Sequence, residues 1–599
     1  MKVLGLGTEG DSGAAVIEDG RILAAVNEER LCRMKLVEGF PRGAIPEVLR
    51  LSDTRMEQLD AVLVAGRDDR FVNDLHPFDG WFAHWGHGDR LGGLVKRAAG
   101  KLSRFGHRLP ILQKGYYALL APSFAYRRRA VKRILREEFD VRCPIVFVDH
   151  HFCHITSAYF TSGFDDALVL SLDGGGDGRS GLVYDAHDGQ LDYLGEVSAY
   201  NSFGNYYAYI THICGYQAQK HEGKITGLAA YGEPIYLDLL REFVGYADGS
   251  FVNRGGVVFH EAIKTLQKRL PDGWKKEELA ASIQRHFEAE IRQYAGYWQA
   301  RTGRSDVALA GGVFANVRVN QEVHRLPGVE RVFVHPGMAD GGLPVGAALA
   351  ACVPGVLNET MRRDPESIQD VYLGDDLAPA DVDAALREAD LEPVPLDEPL
   401  EESIADLLAA GYVVARADGR MEYGPRALGS RSILYQPTDR SVNDWLNESL
   451  RRTEFMPFAP AVMWEHRSKL FEDLEGAEHA AEFMTITFDC TPWMKERMHG
   501  VVHLDGTARP QIVRRDRNPA YYAIIEAFER RTGLPAIINT SFNMHEEPIV
   551  CTARDCVRAF LTGNLDYLAI GSHLVKHPRP LERVLRPVAT AETVAVRST

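Results

Sequence analysis

Short apolar runs, each halted by glycine and aspartate, alternate along this chain with longer amphipathic stretches. The first series predicts strands at Lys2–Leu6, Ser12–Glu18 and Arg21–Asn27, joined by a Gly/Asp turn and an Asp19-Gly20 hairpin. A second series of the same form predicts strands at Leu168–Leu172, Ser180–Tyr184 and Leu191–Val197. Two further apolar runs, ending at Ala310 and at His335, each lead through a glycine-rich turn into a helical pattern. Strands alternating with helices throughout predict α/β architecture.

Length and composition narrow this picture. A chain of 599 residues is too long for one ordinary core. A Pro-, Asp- and Glu-rich stretch at Pro354–Pro379 predicts a boundary, giving domains at 1–360 and 375–577 with a tail at 578–599. No apolar run is long enough for a membrane span, and the N-terminal apolar run is too short for a signal-peptide core. The eight cysteines include no C-x-x-C pair, the usage expected of reduced thiols in a cytoplasmic protein. A net charge of -15 argues against a nucleic-acid partner. One segment breaks that trend, an insert at about 66–140. From Arg90 to Arg136 it holds 13 Lys or Arg residues and no acidic ones, with Phe105, Tyr116, Tyr117, Phe124 and Tyr126 among them. This is either a pair of solvated amphipathic helices or a face that meets an anionic acceptor or a membrane surface.

Candidate chemistry gathers in two places. In Asp149-His150-His151-Phe152-Cys153-His154, helical spacing puts His150 and His154 on one face, where they can share a metal or simply satisfy each other's surroundings. The strand after them ends at Asp173-Gly174-Gly175-Gly176-Asp177, a turn that frees a carboxylate for a metal and backbone N–H groups for phosphate. Asp340, in Ala339-Asp340-Gly341-Gly342, is a candidate fourth ligand. In the C-terminal half, Arg420, Arg426 and Arg431 stand among Gly419, Gly424 and Gly429, followed by Arg451-Arg452 and Arg509. The strand Ile537-Ile538-Asn539-Thr540-Ser541 adds small polar groups. Guanidinium forks bind phosphate oxygens bidentately, and Asn and Ser can orient a planar amide.

Strand, acidic turn, strand, Asp-Gly hairpin, strand, twice over, resembles the two-lobed actin/hexokinase-like class. With Glu28-Glu29-Arg30, His-His-x-x-His, Gly223-Lys224-Ile225-Thr226-Gly227, Gly424-Pro425-Arg426-Ala427-Leu428-Gly429, Pro457-Phe458-Ala459-Pro460 and Glu547-Pro548-Ile549-Val550, the chain resembles the O-carbamoyltransferases of the NodU/CmcH family along nearly its whole length. The resemblance implies an N-terminal actin/hexokinase-like domain and a C-terminal YrdC-like α/β domain. It implies that the latter makes carbamoyl-adenylate from carbamoyl phosphate and ATP, with Mg on the ATP. The carbamoyl group then passes to an acceptor hydroxyl at an N-terminal metal, usually iron; the mixed N/O donors also suit Mn or Zn.

The resemblance also implies roles for single residues. Metal falls to His150, His154, Asp173 and Asp340, and nucleotide to Lys224, Gly311, Gly312, Asn316 and Asn320. Carbamoyl phosphate falls to Arg426, Arg451, Arg509, Asn539 and Ser541. Two positions depart from the family. A histidine is usual before Asp11, where this chain has Gly10, so the acceptor base is Asp11, Lys35 or His221. Arg451 stands where many relatives have lysine. The acceptor expected is a small molecule or a glycan or glycolipid, and a homodimer is a reasonable expectation at this size. Two rival readings are threonylcarbamoyl transfer to tRNA and a non-catalytic actin-like nucleotide binder. A metallopeptidase is disfavoured because Phe152 and Cys153 replace the Glu of His-Glu-x-x-His.

Overall fold

The two strand series fold into two separate sheets with the same strand order. A computed structural model of the chain describes residues 1–8, 10–68, 72–78, 110–451, 457–580 and 584–588, with the backbone alone at 110–119. The chain forms two units: Met1–Glu29 with Leu36–Ile368, and Arg30–Lys35 with the residues from Gln369 onward.

In the first unit, Lys2–Gly7 lies at the centre of a five-stranded sheet. Gly13–Glu18 pairs with it antiparallel and Arg21–Asn27 pairs antiparallel beyond. On its other side Ala61–Ala65 and then Ile145–Val148 run parallel. The second sheet repeats this order with Ala167–Gly176, Arg179–His187, Gln190–Ser198, Asp306–Ala310 and Arg331–Val334. Asp19-Gly20 and Asp188-Gly189 close the equivalent hairpins with φ of 48° and 82°, and 48° and 80°. Positive φ at both turn residues matches the twist of the flanking strands, and Asp-Gly tolerates it best. Ala61–Ala65 and Asp306–Ala310 are buried at every position, as parallel strands covered on both faces require.

Each sheet's last strand leads to a helix, His150–Ser162 in one copy and Leu343–Leu349 in the other. The first begins where Asp149 accepts the Phe152 N–H at 3.1 Å and ends at Gly163, φ 73°. All its residues except Phe152 are buried, so it runs through the interior. The two helices meet at Gly346. A Cβ there would stand 1.9 Å from the Cys153 carbonyl oxygen, and Thr156 Oγ1 donates to the Gly346 carbonyl at 2.7 Å.

Of the basic segment, the helix Pro110–Glu137 is described, while residues 79–109, Arg90 and Phe105 among them, lie outside the described residues. Phe124, Ala130, Val131, Ile134 and Leu135 face inward, while Tyr126, Arg129, Lys132, Arg133 and Arg136 face out. Arg127 departs from the expectation of a uniformly solvated or acceptor-facing charge. It is fully buried and donates to Thr8 Oγ1 at 2.8 Å and to the Ala65 and Gly66 carbonyls at 2.9 and 2.6 Å. The helical period places it on the apolar face, and these acceptors offset its desolvation.

The second unit is built on a seven-stranded mixed sheet, in the order Gln511–Val513, Ala459–Met463, Ala536–Ser541, Arg431–Tyr435, Val414–Ala417, Tyr567–Ile570, His573–Lys576. Helices Leu400–Ala409 and Pro519–Thr532 pack together beside it. Arg33 ties the N-terminal segment to this unit, donating to the Pro548 and Ile549 carbonyls at 2.8 and 2.7 Å and pairing with Asp555 at 3.4 Å. Near the C-terminus, the Val588 N–H donates to the Ala409 carbonyl at 2.9 Å. All eight cysteines are free, and no helix among the described residues is long and apolar enough to cross a membrane.

Gly346→Ala is expected to cost about 3 kcal/mol or more, the upper end for overpacking, because the added methyl meets backbone rather than a movable side chain. Urea unfolding of the purified variant checks this, and an unchanged midpoint would contradict the close crossing.

Candidate functional site

The helix crossing brings together four donor residues from three chain segments. His150 and His154 project from successive turns of one helix, their ring centroids 5.0 Å apart. Asp173 ends the apolar part of the second sheet's first strand, and Asp340 opens the turn before Leu343–Leu349. His154 Nε2 lies 3.2 Å from Asp173 Oδ2 and 3.7 Å from Asp340 Oδ1, and His150 Nε2 lies 3.6 Å from each. One donor atom from each of the four residues falls within 4.8 Å of all the others. Donors bound to a single ion at about 2.1 Å stand roughly 3.0–3.5 Å apart, so this set needs little movement to hold a divalent cation.

Charge is arranged to match. Burial alone would raise the Asp173 pKa, but hydrogen bonds from His150 and His154 outweigh it and hold the carboxyl well below its usual range. Burial alone would lower the His154 pKa, and its interactions with Asp173 and Asp340 outweigh that, leaving it raised. His151 takes no part. Burial and then its two histidine neighbours push its pKa well down, and its ring bonds the Arg179 carbonyl at 3.0 Å.

The site is held from behind by Asp177, the second acid of the glycine turn. It accepts the N–H groups of His150 at 2.7 Å, Arg67 at 2.9 Å and Asp68 at 2.6 Å. Gly176 is required here, since a Cβ would come 2.3 Å from His150 Cγ. At Gly10 a Cβ would stand 2.8 Å from Asp340 Oδ2, so a histidine at this position would require Asp340 to move. Asp11 adjoins the cluster: its Oδ2 would be 2.5 Å from a Cβ at Gly341, next to Asp340.

The other candidates spread more widely. His221 precedes the helix Glu222–Leu228, and its Nδ1 accepts the Gln217 N–H at 3.2 Å. Lys224, on that helix, is buried with its ammonium 6.0 Å from the Tyr216 ring centre. Lys35 falls in the segment that belongs to the second unit. Gly311 has φ 105° and donates its N–H to the Met338 carbonyl at 2.6 Å, and a Cβ at Gly312 would lie 2.9 Å from Asp173 Oδ1. Asn316 caps the helix Val317–His324 and donates to Gln284 at 2.9 Å. Asn320 donates to the Phe314 carbonyl at 2.7 Å.

In the second unit, Arg426 lies on the loop before Arg431–Tyr435. Asn539 is 1% exposed and donates through Nδ2 to the neighbouring Ala427 carbonyl at 3.0 Å and to Gln511 Oε1 at 2.7 Å. These bonds fix the amide so that Oδ1 has no hydrogen-bond partner. Arg509 comes two residues before Gln511, and Ser541 pairs in register with Ser432. Arg451 is exposed at the end of Ser441–Ser449 with φ 57°, and Arg452 lies outside the described residues.

Residues 2–349 match the family model of the carbamoyltransferase N-terminus, and residues 405–577 that of the carbamoyltransferase C-terminus. The chain belongs to the carbamoyltransferase family. Nodulation protein NolNO of Sinorhizobium fredii is 32% identical over 582 residues, covering 94% of this chain and 79% of that one. Nodulation protein NolO of Bradyrhizobium diazoefficiens is 34% identical over 448 residues, 73% of this chain and 80% of its own. The 3'-hydroxymethylcephem-O-carbamoyltransferase of Amycolatopsis lactamdurans is 28% identical over 349 residues, 56% of this chain and 61% of its own.

This carbamoyltransferase is therefore an enzyme of carbamoyl transfer, with one sheet order built twice in its first unit. Asp177 is a positioning residue beyond the candidate donors and arginines of the sequence. Its signal was present in the second acid that closes the Asp-Gly-Gly-Gly-Asp turn.

A divalent ion on these donors competes with protonation of His154. Because that pKa is raised, apparent affinity for Mn, Fe or Zn is expected to fall as pH drops from about 8 to about 6, more steeply than for an ordinary histidine site. Calorimetric titration of the metal-stripped enzyme at several pH values measures this; a flat profile would contradict it.

Proposed function

We propose that this carbamoyltransferase activates the carbamoyl group in its second unit and transfers it in its first. Carbamoyl phosphate gives up orthophosphate to water, leaving carbamate. A carbamate oxygen attacks the α-phosphorus of ATP, pyrophosphate departs, and carbamoyl-adenylate forms. Adenylation turns a poor electrophile into one with a good leaving group. An acceptor hydroxyl oxygen then attacks the carbamoyl carbon, the bond to AMP breaks, and a base takes the hydroxyl proton.

The observation that carries the first step is Asn539, whose buried Oδ1 lacks a donor beside the loop of Arg426. A carbamoyl NH2 supplies that donor, while Arg426, Arg509 and Arg451 offer forks to phosphate and Ser541 a hydroxyl. For the second step, Lys224, Gly311 and Gly312 receive the adenylate, and Asn316 and Asn320 hold the turn that carries the glycines. Asp11 is the proposed base, because among Asp11, Lys35 and His221 it is the one that adjoins Asp340 through Gly341. A divalent ion on His150, His154, Asp173 and Asp340, iron or else Mn or Zn, would polarise the carbamoyl group and offset charge on the leaving AMP. Mg would accompany ATP.

The outward cations of Pro110–Glu137, Arg129, Lys132 and Arg133, suit an anionic or lipid-linked acceptor, a small molecule or a glycan. The net charge of -15 sets this reading against tRNA.

Incubation with ATP and carbamoyl phosphate is expected to yield carbamoyl-adenylate, or AMP with pyrophosphate, resolved by mass spectrometry. Arg426→Ala should reduce that step about 100-fold or more, the scale of losing a charged group at a transferring phosphate. His150→Ala should leave adenylate formation within about threefold and abolish transfer, since it alters only the metal donors. Failure of both variants at the same step would sink the division of labour.

A further inference from the structure

Arg426 stands on a loop whose backbone is held almost entirely by side chains, and one carboxylate is at its centre. Glu422 is 3% exposed, and its Oε1 accepts three amides: Leu428 at 2.9 Å, Ser430 at 2.7 Å and Arg431 at 3.0 Å. Gly429 N–H, between them, donates to Ser432 Oγ at 2.9 Å. The carbonyls are held equally. Ala427 accepts from Asn539, Leu428 from Tyr372 at 2.9 Å and Gln511 at 2.8 Å, and Gly429 from Arg416 at 2.5 Å. At the loop's start, Gly424 accepts from Arg30 at 2.7 Å.

Three N–H groups converging on one oxygen call for a full negative charge. An ionised acceptor binds them about twice as strongly as a neutral one. Oε2 of the same carboxylate has no hydrogen-bond partner, so the hold passes through Oε1 alone. Truncating Glu422 would leave three amides in a buried loop seeking new partners, and the segment carrying Arg426 would have to move to find them. A misplacement of about 1 Å at a phosphate-binding group is enough to cost orders of magnitude in rate.

We propose that Glu422 is the positioning residue that sets Arg426 for the phosphate of carbamoyl phosphate, a role that rests on the function proposed above. It acts through the backbone and touches no substrate.

Steady-state assays of the full-length enzyme with Glu422→Gln and Glu422→Ala, varying carbamoyl phosphate and ATP separately, test it. Amide exchange across 424–432 is followed in parallel. Glu422→Ala is expected to raise the KM for carbamoyl phosphate about 30-fold with the ATP KM within about twofold, and to speed exchange at Leu428 and Ser430. Glu422→Gln keeps an acceptor oxygen and is expected to lie between, with a rise of about threefold, which decides the matter should Glu422→Ala not fold. Equal rises in both KM values, or a Gln variant indistinguishable from wild type, would overturn the role. Wild-type enzyme that does not turn over carbamoyl phosphate would instead overturn the function it rests on.

Discussion

The first unit depends on two helices crossing at van der Waals contact. With no side chain at Gly346, the Cys153 carbonyl can approach its Cα directly, and Thr156 closes the contact through the Gly346 carbonyl. Each helix follows the last strand of its own copy of the sheet. The crossing therefore sets one copy's histidines beside the other copy's acids. His150 and His154 belong to the first copy, Asp173 and Asp340 to the second. A wider crossing would separate them, and the proposed metal would lose its site.

The same geometry governs the electrostatics. Two buried imidazoles and two partly buried carboxylates would each be costly alone. Together they compensate, and the pKa of Asp173 is pulled well down while that of His154 is raised. Asp177 binds the start of the histidine helix to the Arg67–Asp68 segment, and Arg127 holds the residues just before it. The proposed transfer site is thus braced by an arginine of the basic segment.

Much of this was legible in the sequence where local pattern and tertiary role coincide. Asp19-Gly20 can hardly be read as anything but a hairpin, and strands ending at Asp173 and before Asp340 announce acids at sheet ends. Helical spacing put His150 and His154 on one face. What stayed hidden acts over long separations or through the backbone. Arg30 reaches Gly424, 394 positions away, and no local pattern assigns Arg30–Lys35 to the second unit. Arg127 reads as one more surface cation until its helical phase puts it inside. Glu422, a lone acid among arginines, binds only N–H groups, and side-chain patterns carry no trace of that.

The most direct measurement is an anomalous-scattering map from crystals of the enzyme loaded with Mn or Fe. One strong peak bound by His150, His154, Asp173 and Asp340 is expected, with metal–ligand distances of about 2.0–2.3 Å. A map with no peak among these residues, or with the ion held by other groups, would contradict it.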